Sequence, residues 1–299
     1  MACVYCGTVF ETMVALLLIL GVYLAILIGV LWISVHPLRI PVFFSPGSLG
    51  FPQEEVVFES SDGKRLRGWW MGNEDSKRVA VLCHGYLMNR CELAPVAIDL
   101  HRQGYSCLLF DFRQHGKSSS GRCGMGWYER ADVSAACALA RSKVTGCRIV
   151  LIGSSMGAVA SAFALSEDPA LADAAVFDSA YSKLPSAVLG WWNFLGGKLL
   201  KTVLSPTILL SGFVAGFNPF KVDVGSAMAK IHIPKLIVHG ECDNLANPEQ
   251  AKRNFAMAAD PKEIVWFPGR DHSEFRWEDW ATYSAALNKW LSSVHSLNA

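Results

Sequence analysis

Apolar positions follow three patterns along this chain, and each predicts a different kind of element. The first is an unbroken run, residues 13–35, without one charged side chain. At ~1.5 Å per residue it is long enough to cross a hydrocarbon core of ~30 Å, so it predicts a transmembrane helix. The second pattern is a set of compact apolar runs that end in glycine or a polar residue: 78–83, 105–110, 148–152, 174–177, 234–238 and 263–267. With no polar face, they read as strands buried on both sides. The third is helical spacing over 91–103, closed by Gly104, over 129–144, closed by Gly146 after Thr145, and over 156–166 before Pro169. Near the end, Trp280, Tyr283, Leu287, Trp290, Leu291 and Val294 step by three and four, which predicts an amphipathic helix docked on the core.

Two further runs, 56–60 and 66–70, flank Asp62-Gly63, and an Asp-Gly between β-rich segments signals a hairpin. Eight strands result, the first two antiparallel and the rest alternating with helices. That alternation predicts an α/β fold: a mostly parallel sheet covered on both faces, with its ligand crevice at the carboxyl ends of the strands. Residues 182–230 break the rhythm with an apolar insertion, read as a small helical cap. Pro37, Pro41, Pro46, Gly47, Gly50 and Pro52 mark a linker that cannot be helical throughout. The predicted layout is a tail over 1–12, a transmembrane helix over 13–35, a linker over 36–50 and one folded domain over 51–299.

Composition sharpens this layout. Hydrophobic residues make up 52% of the chain and charged residues 18%, below the roughly 25% of soluble proteins, and part of the skew lies near the start. A net charge of +1 with scattered basic residues excludes a surface that tracks phosphates, so no nucleic-acid partner is expected. A secretory signal would need a basic start, an apolar stretch of about 7 to 15 residues and a small-x-small cleavage site, none of which occurs. A buried core helix would need protein on every side of a long uncharged run. Trp32 suits the lipid–water boundary. His36 and Arg39 follow the run, whereas Glu11 precedes it, which leans toward a single-pass protein with a cytosolic domain.

Nine cysteines agree with that side of the membrane. Cys3 and Cys6 precede the helix, and Cys83, Cys91, Cys107, Cys123, Cys137, Cys147 and Cys242 are odd in number and cannot all pair. Cys83 and Cys107 lie in strand-like runs, where free thiols act as small hydrophobes. No paired zinc-type spacing occurs in the domain, and neither a metal nor another cofactor is expected.

The candidate chemistry lies just after strand ends. Gly153-Ser154-Ser155-Met156-Gly157 follows one predicted strand and opens a helix, the setting a G-x-S-x-G nucleophile elbow requires. Ser155 is its centre, and the flanking glycines spare a sharp turn from collisions with neighbouring backbone. The Met156 N–H, at the helix start, is one candidate oxyanion donor, and the Tyr86 N–H in Cys83-His84-Gly85-Tyr86 is the other. His272, after the last predicted strand, is the candidate base, and Asp243, after the preceding strand, is its acid. The order Ser, Asp, His is the order this arrangement takes in sequence. His84 is read as tying its loop down. Asp178, after the 174–177 strand, is a rival acid, Glu241 a minor one, and Asp271 is poorly aimed because it adjoins the base.

With these segments in view the chain resembles the α/β hydrolases, in particular the small membrane-associated branch that includes acylglycerol lipases, protein depalmitoylases and bacterial esterases. The resemblance runs from about Val56 to the C-terminus. Asp111-Phe112-Arg113-Gln114-His115-Gly116-Lys117-Ser118 resembles that family's D-x-R-G-H-G-x-S turn, with Gln114 in place of a glycine. Ala246-Asn247-Pro248 stands where Val-Pro is commoner. Asp111, Arg113 and His115 are read as holding the loop. The resemblance implies a serine hydrolase acting on small-molecule acyl esters or thioesters, lipids among them. A peptidase or amidase of the same fold, or a catalytically silent lipid- or protein-binding member, is the alternative.

Overall fold

Five of the six runs lacking a polar face form the middle of one sheet. The sixth, 263–267, which the sequence reading placed among strands buried on both sides, instead forms an edge of the sheet, where it has a neighbour on one side alone and only Phe267 is fully buried. The structure, a computed structural model, describes residues 2–297, with side chains placed for 9–294. After helix α1 (Ala2–Val35), strands β1 (Glu54–Glu59) and β2 (Arg65–Met71) make the predicted hairpin, turning at Gly63 in left-handed backbone, φ 77°. The alternation that follows is β3 (Arg78–Cys83), α2 (Ala94–Arg102), β4 (Ser106–Asp111), α3 (Arg130–Lys143), β5 (Arg148–Ser154), α4 (Met156–Glu167) and β6 (Ala174–Asp178). The cap is α5 (Leu184–Leu204) and α6 (Thr207–Ala215), then α7 (Val224–Met228) returns the chain to the sheet. β7 (Lys235–Gly240), α8 (Pro248–Met257), β8 (Lys262–Phe267), α9 (Phe275–Glu278) and α10 (Trp280–Leu297) complete it.

The eight strands lie in the order β1-β2-β4-β3-β5-β6-β7-β8. Pairings β1·β2 and β2·β4 are antiparallel and all the others parallel. Every residue of β4, β6 and β7 is buried, as their uninterrupted apolar sequences require. Helices α3, α4 and α7 cover one face, while α2 and α10 cover the other. The docking stripe of α10 is as predicted: Tyr283, Leu287, Trp290 and Leu291 are all buried. Burying each such side chain stabilises the fold by about 1.5–3 kcal/mol.

Three elements differ from the sequence reading. Helix α1 begins at Ala2 rather than at residue 13, because nothing between them, neither proline nor cap, stops a helix. Helix α8 was not foreseen. Only Ala251 and Asn254 are buried in it, so it has no apolar stripe to read. Its signal was the start: Asn247 accepts a hydrogen bond from the Glu249 N–H, with Pro248 in the first turn. Helix α2 starts at Ala94, later than 91, because Asn89 and Glu92 use their side chains to shape the preceding turn.

The linker over 36–50 is strapped to the domain. Arg39 donates to the Ser118 carbonyl at 2.5 Å and to Ser120 Oγ at 3.1 Å, and Asn89 Nδ2 reaches the carbonyls of Ile40 and Pro41 at 3.1 Å. The end of α1 is held too, by Cys123 N–H to the Val35 carbonyl at 2.7 Å and Tyr86 O–H to the Ser34 carbonyl at 2.9 Å.

Candidate active site

The turn between β5 and α4 is strained where the sequence reading expected it. Ser155 sits at φ 48°, ψ −111°, a region that L-residues rarely adopt. A Cβ on Gly153 would come within 2.5 Å of Ala158 backbone, and one on Gly157 would run into the Cys83 carbonyl. Glycine at both positions is therefore a steric requirement, and the elbow lifts the Ser155 side chain to the carboxyl edge of the sheet.

Two loops from neighbouring strands meet it there. His272 Nε2 lies 2.9 Å from Ser155 Oγ, and His272 Nδ1 lies 2.7 Å from Asp243 Oδ2. Asp243 Oδ1 is occupied by the N–H groups of Leu245 at 2.9 Å and Ala246 at 2.7 Å, which leaves Oδ2 to accept from Nδ1–H. The tautomer follows: Nε2 carries a lone pair and accepts from the serine hydroxyl. Burial pulls the His272 imidazolium toward losing its proton. The Asp243 hydrogen bond, the Asp243 charge and the Asp178 charge outweigh it, and the pKa stands above its ordinary value. Residues 155, 243 and 272, widely spaced in sequence, are thus within hydrogen-bonding reach of one another.

Gly85 lies against this line, since a Cβ there would be 3.6 Å from Ser155 Cβ. The backbone of residues 85 and 86 therefore passes beside the serine. Among the described residues, neither the Tyr86 N–H nor the Met156 N–H has a hydrogen-bond acceptor.

The rival residues are engaged elsewhere. Asp178 is buried, accepts from Ser273 O–H at 3.0 Å, and sits 3.2 Å from Arg276 Nε, close enough to pair in charge although not aligned for a hydrogen bond. Burial raises its pKa despite Arg276. Asp271 accepts from Asn244 N–H and Asn244 Nδ2 at 2.8 Å and from His272 N–H at 2.7 Å, so it shapes the backbone under the base. His84 accepts from the Phe112 N–H at Nε2 (3.0 Å) and donates from Nδ1 to the Gly85 carbonyl (2.7 Å). Burial lowers its pKa to about 4, which keeps it a neutral tie in the loop. Asp111 receives the N–H groups of Arg90 and Lys117, and Arg113 bridges Asp132 and Asp62. His115 donates from Nδ1 to the Arg113 carbonyl at 2.8 Å. Gln114, standing where the resembling family has glycine, takes φ 63°. Its amide anchors Gly121 N–H at 3.1 Å and reaches the Pro37 carbonyl at 3.4 Å.

Three residues escaped the sequence reading. Glu92 takes the Gly85 N–H at 2.6 Å and the Ser154 hydroxyl at 2.7 Å, and pairs with Arg276, all in buried surroundings. Burial raises its pKa, but Arg276 and the Gly85 N–H overcome that and hold the carboxyl below its ordinary range. One carboxylate thus braces both the elbow and the Tyr86 loop directly, and its partner Arg276 also faces Asp178. No local motif announces it, because residues 92 and 276 are 184 positions apart. His239 is the third: buried and kept neutral chiefly by burial, it donates from Nε2 to the Ala246 carbonyl at 2.6 Å and steadies the Asp243 loop. Its place at the end of β7 was the available signal.

Above the serine is a cavity of about 330 Å³, a ligand-sized volume. Its floor includes Ser155, His272 and Gly85, its roof Trp191 and Ile208 from the cap, and one wall Leu31 and Val35 from α1. The lining is largely apolar.

Known proteins share this arrangement of strands. The sequence profile of a hydrolase family described as serine aminopeptidase, S33, matches residues 74–218. An uncharacterized protein of Mycobacterium tuberculosis is 28% identical over 243 residues, covering 80% of this chain and 79% of its own. The alpha/beta hydrolase domain-containing protein WAV2 of Arabidopsis thaliana is 25% identical over 246 residues, covering 77% and 75%. Among solved structures, the Pyrococcus furiosus esterase Pf2001 superposes with a TM-score of 0.72 at 25% identity, over 87% of this chain and 98% of that one. The chain has the α/β-hydrolase fold and is a member of the α/β-hydrolase superfamily.

Proposed function

We propose that this protein is a membrane-anchored serine hydrolase that cleaves carboxylic esters, and after them thioesters, of acyl-type substrates. The observation that carries this reading is the continuous line Ser155 Oγ, His272, Asp243 on the floor of an apolar cavity. In the reaction Ser155 attacks the acyl carbonyl while His272 takes the hydroxyl proton, and the N–H groups of Tyr86 and Met156 receive the oxyanion. His272 then gives the proton to the leaving oxygen or sulfur, and an acyl-enzyme remains. Water, deprotonated by the same imidazole, releases the acid. Asp243 holds the tautomer and favours the imidazolium as it forms. The likeness to an esterase of known structure supports ester chemistry.

The membrane part of the reading rests on the 9–35 stretch of α1, apolar enough to cross a bilayer and only 11% buried over its most apolar window. A soluble core helix would be mostly covered. A cytosolic catalytic domain is favoured by Arg39 after the helix and by free thiols at all seven described cysteines; the side chains of Cys3 and Cys6 lie outside the described residues. The serine aminopeptidase profile favours a second reading, hydrolysis of small aminoacyl amides.

Ser155→Ala tests the assignment. Hydrolysis of p-nitrophenyl esters should fall by about 10⁴-fold or more, and labelling by a fluorophosphonate should vanish. Retained turnover in that variant would remove the serine from the mechanism. Comparing p-nitrophenyl esters with aminoacyl p-nitroanilides ranks the ester and amide readings.

A further inference from the structure

The cap and the N-terminal helix are packed on each other, and this contact has consequences for where the cap sits. Leu27 of α1 is buried against Trp192 and Leu204 of the cap, and Tyr23 O–H donates to the Val203 carbonyl at 2.6 Å. Along α1 the covered or half-covered positions are 23, 27, 30, 31, 34 and 35, one helical face. Every described residue from 9 to 22 is exposed. The outer surface of the cap is as apolar as that free stretch: Leu199 is 78% exposed, Leu209 73% and Phe213 89%. Such a patch adds to the apolar surface of α1, and α5 and α6 together make one bent apolar span.

Length decides the depth. The stretch able to cross the bilayer starts at Val9, and from there to Tyr23 is only about 21 Å of helix, short of a ~30 Å core. The remaining ~18 Å, to Val35, is the stretch clasped by the cap. A cap held in water would leave α1 too short to span. If α1 crosses the membrane, the cap lies at the depth of one leaflet.

We propose that α1 and the α5–α6 hairpin form one lipid-embedded unit, and that an acyl chain of a bilayer lipid passes sideways between them into the cavity that α1 itself walls. This rests on the membrane-anchored hydrolase reading and names the source of its substrate. Leu31 and Val35 line the cavity on its α1 side and Ile208 on its α6 side, so chain and cap make the same apolar passage. Gly196 and Gly197 break α5, with Gly197 at φ 65°, and turn its second half toward the leaflet. Lys198 and Lys201, exposed on that half, have stems long enough to carry their ammonium groups out to the lipid phosphates. The anchor is then part of the binding site as well as a tether.

The experiment uses the full chain in phosphatidylcholine vesicles. Leu209→Cys or Phe213→Cys, each in a Cys3→Ser, Cys6→Ser, Cys242→Ser background, carries an NBD fluorophore, with Lys77→Cys at the far edge of the sheet as reference. Lipids brominated in their acyl chains should quench the labels at 209 and 213 at least twofold and leave the one at 77 unchanged. Equal, weak quenching at all three positions overturns the proposal, and so does a lipid-independent bismaleimide crosslink between two copies of the unlabelled Phe213→Cys protein, which would mean that a second copy covers the patch. In a second arm, Leu209→Asp with Phe213→Asp should lower hydrolysis of vesicle-borne 4-methylumbelliferyl oleate at least tenfold, with water-soluble p-nitrophenyl acetate cleaved within twofold of the unaltered rate. Unchanged oleate hydrolysis overturns the lateral path. Acetate hydrolysis by the unaltered protein tests the esterase reading separately, so the two failures are distinguishable.

Discussion

The floor and the roof of the cavity are made by opposite physical means. The floor is polar, buried and over-determined: Ser155, His272, Asp243, Glu92, Arg276 and His239 each sit within hydrogen-bonding or ion-pairing distance of groups from other elements. The roof is apolar and half-open, held by side-chain packing of Leu27, Trp192 and Leu204 and by a hydrogen bond at Tyr23. On the proposed function, the contrast makes reactivity and selectivity separable. Directional bonds hold polar atoms to a fraction of an ångström, whereas non-directional packing would admit the proposed acyl chains in several lengths. Substitutions in the floor should therefore act on rate for every substrate, and substitutions in the roof on which substrate is preferred.

The sharpest way to break this comparison is at the acid. Asp243→Asn should cost about 10³- to 10⁴-fold in kcat on short and long esters alike, because the imidazole loses both its tautomer and its counter-charge. The pH profile should move as well. Burial pulls the His272 pKa down and Asp243 more than restores it, so kcat/KM of the unaltered enzyme should rise with pH through a midpoint above the ordinary imidazole value. The sign for stability is opposite. A raised folded pKa stabilises fully below the ordinary value, and that contribution fades as pH rises through the folded one. Removing the Asp243 charge should shift the kinetic midpoint downward; a midpoint that stays in place would contradict the pairing.

Next in size is Glu92→Gln. Losing the charge that faces Arg276 should destabilise the fold by about 3–5 kcal/mol, read as a fall in Tm. It should also lower kcat by about 10- to 100-fold while KM changes little, because the Gly85 loop and the elbow lose their common brace. The carboxyl is held below its ordinary range, so its stabilisation is complete above that range and lost as pH falls through the lowered value. That acid-side loss should be absent from the Gln variant. A change in KM alone would show that Glu92 belongs to substrate binding instead.

The roof is probed by Leu31→Trp. An indole on the α1 wall should lower the ratio of dodecanoyl to acetyl ester turnover by about tenfold, since added bulk costs the long chain its apolar contacts. A unit loss across all chain lengths would place this wall in the floor's category. The smallest expected effect is Gln114→Gly. Relief of left-handed strain, worth about 1 kcal/mol, offsets the loss of two long hydrogen bonds, so Tm should move by less than about 2 °C.

Much of this was legible before any coordinates. The inner parallel strands β3 to β7 could be read because burial on both faces leaves an unbroken apolar signature, whereas the edge strand β8, apolar in sequence, is only half-buried. Ser155 could be read because its glycines stand at fixed offsets. Asp243 and His272 could be read from their positions after β7 and β8. Helix α8 could not, since a helix that buries only Ala251 and Asn254 has no stripe. Glu92 and Arg276 could not either, because a buried ion pair carries no sequence periodicity.

By itself the sequence determined which segments must leave water, and with that the order of strands and helices, the turn that exposes Ser155, and the apolar run at the start. Local sterics and hydrophobic patterning act over a few residues, so they can be read along the chain. Only the tertiary structure decided that residue 92 braces residues 85, 154 and 276, and that α1 serves as a wall of the cavity. Those contacts join positions that are neighbours in space alone, and their energies exist only after the chain has closed around them.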